Sequence, residues 1–185
     1  MKHYLSFAML LITLVILLLS GCTTNKSQAM EGVMQIYRPD WWGFQTSDVN
    51  IYSFGQAEKL NEAASMDAAR ANALLEAAKY VEAYANDKLQ AFENEAGVKD
   101  PQVHALSQKV AKTISTARFA NLSTGITETI QVQTKDGIRY KTFIQLVIPH
   151  REIDKYLINQ VRNEEILYMQ LRGSKAFKQM DDSLK

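Results

Sequence analysis

Cys22 is the only thiol in the sequence, and it stands directly after an apolar run. With no second cysteine to pair with, its chemistry is that of a thiolate nucleophile accepting a transferred group. The other reactive residue types are poorly placed for chemistry. His104 and His150 lie on separate elements without the His-x-x-x-His or cysteine spacing of a metal site, so they read as surface or boundary histidines and no metal is expected. Glu164-Glu165 and Asp181-Asp182 are neighbours on helical ground, where adjacent side chains diverge into a solvated face. No Gly-x-Ser-x-Gly turn presents a nucleophile, and Gly32, Gly43 and Gly55 are too scattered for a phosphate loop. These residues predict neither an enzyme nor a bound cofactor.

The segment around Cys22 gives the thiol a role. Met1-Lys2-His3 is a short basic start, residues 8–19 are apolar apart from Thr13, and small residues follow. That is the pattern of a secretory leader, and it is short of the roughly 20 apolar residues that span a bilayer comfortably. Leu19-Ser20-Gly21-Cys22 resembles the lipobox of bacterial lipoproteins. The resemblance implies diacylglycerol on the Cys22 sulfur, cleavage before Cys22, and an acyl chain such as palmitate on the new amino terminus. Several acyl chains, at about 0.8 kcal/mol per buried methylene, hold a protein on a membrane essentially permanently. Thr23 stands where an aspartate would resemble an inner-membrane retention signal, so the outer membrane, on its periplasmic face, is the expected address. Losing Lys2 with the leader (1–21) leaves basic and acidic residues equal in number, which argues against a nucleic-acid binder. No cysteine then remains for a disulfide, so burial must supply the stability of one domain of ordinary size.

Residues 22–37 are polar, without a sustained apolar period, and read as the lipidated cysteine followed by a flexible tether. Pro39 and Gly43 then bracket Trp41 and Trp42. Two flat rings could stack on a sugar or sit at an interface, but the preferred reading has at least one of them plugging the edge of the core. Val49 to Phe54 is β-branched and aromatic, with Gly55 closing a first strand. From Ala57 the period becomes helical: Leu60, Ala64, Ala71, Leu75, Ala78, Ala85, Leu89 and Phe92 make one stripe, and Gly97 is a helix stop. Asp100-Pro101 offers an N-cap and a first-turn proline for a second helix to about Ala117. The first helix is too long for a small sheet to cover, so its second half and the next helix are expected to project as a helical hairpin.

A strand pair follows. A three-residue loop, Lys135-Asp136-Gly137, would pair Thr134 with Ile138 and Val132 with Tyr140, bringing Ile130 and Val132 onto one face with Ile144 and Leu146. Pro149 ends that strand, and a last helix from about Arg151 carries Ile153, Leu157, Val161 and Tyr168 on one stripe, with Ile158, Ile166 and Met169 off it. After Gly173, residues 173–185 make an amphipathic tail with Ala176, Phe177, Met180 and Leu184. The extra apolar residues suggest a second surface to bury; the alternative is a tail folded back on its own domain. The basic bias from Arg139 to Lys178 could meet an anionic partner, but exposed strand and helix faces explain it as well. The sum is an α+β fold, a small antiparallel-rich sheet with long helices packed mostly on one face, with the domain itself at 38–172.

Three stretches, the lipobox, Pro39 to Gly43 (PDWWG) and Phe54 to Ala78 (FGQAEKLNEAASMDAARANALLEAA), together resemble bacterial outer-membrane lipoproteins of the twenty-kilodalton (Lpp-twenty) type, the family that includes the flagellar lipoprotein FlgP. The resemblance implies a non-enzymatic envelope lipoprotein, and its flagellar branch builds rings or disks around the motor. The expectation is therefore a structural or assembly component, self-assembling as a homo-oligomer or docking on a flagellar or other envelope machine. Its candidate interface residues are Trp41, Trp42, Ile166, Met169, Phe177 and Met180. The alternative is a monomeric lipoprotein whose tryptophans and sheet grip peptidoglycan or a small ligand.

Overall fold

The structure is a computed structural model that describes residues 37–43, 45, 47–117 and 122–184. The leader, Cys22 and all but the end of the tether lie outside the described residues. Strand β1 (Asn50–Lys59) is followed by helices α1 (Glu62–Ala96) and α2 (Pro101–Ser115), strands β2 (Ser123–Thr134) and β3 (Gly137–Pro149), then helices α3 (His150–Asn163), α4 (Glu165–Leu171) and α5 (Lys175–Ser183). The strands form one antiparallel sheet in the order β1-β3-β2. The fold is α+β.

Local chemistry sets the helix ends. Asn61 Oδ1 accepts from Ala64 N–H at 2.7 Å and starts α1. Gly97, at φ 70°, stops it, while Val98 N–H reaches the Glu93 carbonyl at 2.9 Å. Asp100 and Pro101 then start α2 as expected. Gly55, however, does not close β1. It lies inside the strand, where an added Cβ would overlap the Ala69 carbonyl and the Ala73 nitrogen. The missing side chain lets α1 lie directly on the strand, and Ser65 and Asn72 donate to the carbonyls of Ala57 and Gln56 at 2.9 and 2.8 Å.

Helix α1 buries only the second half of the expected stripe, Ala85, Leu89 and Phe92. Leu60, just before it, is 69 % exposed, and Leu75 within it is 67 % exposed. The buried residues are Ser65, Ala69, Ala73, Ala77, Val81, Ala85, Leu89, Phe92 and Glu93. Nearly all are four apart, and each such step turns about 40° beyond a full circle. The buried face therefore winds around the helix, because its partners change along its length. Ala69 and Ala73 pack with Ile144 and Leu146 of the sheet. Beyond them, Val81, Leu89 and Phe92 join a larger core with Val110, Ile114, Leu157, Val161, Leu171 and Phe177. The helical hairpin forms with α1 continuous from Glu62 to Ala96, and α3–α5 pack against it.

Two expectations about the C-terminal half are corrected. The hairpin turn is Lys135-Asp136, pairing Thr134 with Gly137, Val132 with Arg139 and Ile130 with Lys141. Gly137 takes φ 117°, an angle that L side chains rarely adopt. Ile130 and Val132 thus share a face with Phe143, opposite Ile144 and Leu146. The register need not gather all apolar residues on one side, because both faces are covered in part. Helix α1 lies on one; on the other, Trp42 meets Phe54 at 5.5 Å and Phe143 at 5.2 Å between ring centroids. The single last helix is also broken at Glu164 (φ −100°, ψ 88°). The break shifts the phase, so Leu167 and Leu171 are buried; Ile158, ahead of the break, joins the core beside Leu157.

The tail folds back on its own domain. Ser174 caps α5, accepting from Phe177 N–H at 3.1 Å and donating to Glu95 at 2.6 Å. Phe177 is 1 % exposed, edge-on to Phe92 and Tyr168, and Asp181 pairs with Arg162 of α3.

Candidate functional site

The free edge of β1 opens into a cleft of about 670 Å³, lined by the strand itself, by Trp42, Gly43, Gln45, Ser47 and Asp48, by one side of α1 and by His150. The site is built from the backbone outwards. His150 N–H donates to the Val49 carbonyl at 2.9 Å, which makes that cross-strand pair a hydrogen-bonded one. Antiparallel alternation then turns the backbone groups of odd-numbered β1 residues toward β3 and those of Tyr52 and Phe54 toward the open edge. Side chains cap the two ends of this edge: Ser47 Oγ accepts from Asn50 N–H at 3.2 Å, and Asn72 covers the Gln56 carbonyl. Between these caps the Tyr52 and Phe54 groups have no hydrogen-bond partner among the described residues.

Aromatic rings form the walls. Trp42 stands on one side with Phe54, and Tyr80 and Tyr84 stand one helical turn apart on α1. Tyr84 stacks on His150 at 4.5 Å, donates to Asp154 Oδ1 at 3.0 Å and carries Lys88 above its ring at 5.3 Å. Burial, then the Asp154 charge and hydrogen bond, raise the Tyr84 phenol well above its ordinary pKa, so it stays protonated. Tyr80 shares its hydroxyl with Glu76, which raises the tyrosine pKa and lowers that of the carboxylate. Asp48, Glu76 and Asp87 line the cleft, and among the described residues no lysine or arginine does; Lys79 approaches Glu76 from outside at 3.4 Å.

The sequence-predicted residues divide. Trp41 and Trp42 are half-buried on the sheet, with Trp41 Nε1 donating to Glu128 at 3.3 Å, so the core-plug reading holds for both. Only Trp42 reaches the cleft. Ile166, 64 % exposed, and Met169 remain on the surface. Phe177 and Met180 pack inside their own domain and are withdrawn from the candidate interface. The acidic pairs are not simply solvated: Glu164 binds Lys109 at 3.0 Å and Asp181 is buried against Arg162. His104 binds the buried Glu93 at 3.1 Å, and Ser107 donates to the same carboxylate. The acid there sits between the hydroxyl and the imidazole, an order in which the histidine cannot take the serine proton. Among the described residues, no group of three or more metal-ligating side chains is present. The cleft was missed in the sequence. Its signal is the row Glu76, Tyr80, Tyr84 at four-residue steps, beside the alanine row that was read.

The chain matches no protein-family model, and no curated protein or solved structure shows significant similarity to it.

Proposed function

We propose that this is a non-enzymatic outer-membrane lipoprotein, held by lipid on Cys22 and serving as a structural or assembly component of the envelope. The observation that carries this reading is the sequence Leu19-Ser20-Gly21-Cys22 behind a short apolar leader. No described helix is long and apolar enough to cross a membrane. The anchor concentrates the folded unit at one surface, which favours weak lateral contacts there. With the tail packed in cis, docking on a different envelope protein, of a flagellar or other machine, gains over self-assembly into a ring. The cleft supports a second reading, a monomeric lipoprotein that binds peptidoglycan or a small ligand through Trp42, Tyr52 and Tyr80.

Radiolabelled palmitate and membrane fractionation test the anchor: wild type incorporates label and sediments with outer membranes, and Cys22→Ser loses both. Label at another residue, or unchanged sedimentation of the variant, would overturn it. Light scattering with size-exclusion chromatography on residues 23–185 decides between assemblies. A discrete large oligomer restores the ring, whereas a monomer over the whole concentration range leaves docking or ligand binding.

A further inference from the structure

We infer that the β1 cleft is a docking site for an extended, lysine- or arginine-bearing peptide segment, which adds to the sheet as a fourth strand beside Tyr52 and Phe54. Three observations converge on this occupant. The first is the edge. A strand with outward backbone groups is a template for another strand, and proteins commonly cover or charge such edges. Here the edge is covered at both ends, by Ser47 and Asn72, and open between them among the described residues. Six steps from Asn50 to Gln56 at about 3.3 Å each give room for a short segment. A folded sheet edge from a second copy is disfavoured, because α1 on one side and Trp42, Gly43, Gln45, Ser47 and Asp48 on the other wall the strand, and a single extended chain is the narrower guest.

The second is the alternation of the walls. Side chains of an added strand would point by turns toward Tyr80 and Tyr84 on the α1 side and toward Trp42 on the other. Tyr80, which is exposed, and Trp42, which is half-buried, offer flat surfaces that suit the aliphatic stems of long side chains, while Tyr84 is already stacked on His150. The third is charge. Asp48, Glu76 and Asp87 line the cleft without any lysine or arginine among the described lining residues, and Tyr80 already helps hold Glu76 ionised. Main-chain bonding supplies affinity in this mode, and the acidic, aromatic walls select a cationic sequence. A neutral glycan would use the aromatic rings but would leave the acids and the strand edge without a purpose. This inference does not depend on the lipid anchor.

The test uses the full chain in a non-ionic detergent at low salt and four fluorescein-labelled octapeptides, followed by anisotropy. They are alternating Lys-Val, alternating Glu-Val, and the Lys-Val peptide N-methylated at every second amide, prepared in both phases. The Lys-Val peptide should bind, the Glu-Val peptide at least about tenfold more weakly, and one methylation phase should lose about tenfold because it removes edge hydrogen bonds. Tyr52→Pro in the protein deletes an outward N–H at a position where an edge strand tolerates proline, and should weaken the Lys-Val peptide similarly. Should that variant not fold by circular dichroism, the methylated peptides carry the same test with the wild-type protein. Equal binding of Lys-Val and Glu-Val, indifference to both methylation phases, or no binding of the Lys-Val peptide each overturn the proposal. So does displacement of the bound peptide by chitotetraose or choline at concentrations below those of the peptide, which would make the cleft a sugar or ammonium site.

Discussion

At one end of α1, Ala69 and Ala73 lie backbone against backbone on Gly55; at the other, Leu89 and Phe92 meet Leu157, Leu171 and Phe177 through large side chains. The first contact depends on atoms that are absent, the second on atoms that are present. A helix that serves both needs a buried face that turns along its length, which the four-residue spacing provides. The two ends should therefore fail in opposite ways, the sheet end to added volume and the helical end to removed volume.

The largest effect is expected at Gly55. Gly55→Val would drive a side chain into α1 backbone, which cannot swing aside as a flexible side-chain tip would, and should cost more than about 4 kcal/mol or abolish folding. Urea unfolding checks it; a variant of wild-type stability would mean that α1 stands off the sheet. At the other end, Phe177→Ala should cost about 3–5 kcal/mol by leaving a cavity among Phe92 and Tyr168. A cost below about 1 kcal/mol, the level of ordinary surface changes, would place the tail off the domain.

A smaller change of opposite sign is expected under α1. Ser53 is wholly buried, and its hydroxyl has no hydrogen-bond partner among the described residues. Ser53→Ala should therefore raise the unfolding free energy by about 1 kcal/mol, and a loss would reveal a bond that the hydroxyl makes.

The smallest effect concerns pH. Glu95 is held below its ordinary pKa, first by the Ser174 hydroxyl and then by the Ala176 N–H, across the junction of α1 and the tail. A lowered folded-state pKa contributes stability above the unfolded value, and that stability is lost as pH falls through the folded one. The urea midpoints of wild type and Glu95→Gln should thus differ at neutral pH and converge below the usual carboxylate range. A constant gap across that range would show that the carboxylate does not bind the tail.

The local features were legible because their causes are local. Gly97, Asp100 and Pro101 mark helix ends through the backbone conformations and bonds available to those residue types alone, and they stand where the sequence puts them. Alternating and helical periods were enough for the α+β class. The cleft was not legible, since Tyr52, Tyr80 and His150 are far apart in sequence and meet only because α1 returns along β1 and β3 pairs with it. The same holds for the strand register, where a parity argument assumed one buried face and the fold covers both.

By itself, then, the sequence determined the helix boundary at Gly97, Asp100 and Pro101 and the α+β class, because caps and periodicity act within a few residues. Which face of α1 is buried, whether Phe177 turns inward and where an open strand edge lies were decided only in three dimensions. Each depends on what stands opposite, and burial is a property of pairs of surfaces rather than of a residue and its neighbours in the chain.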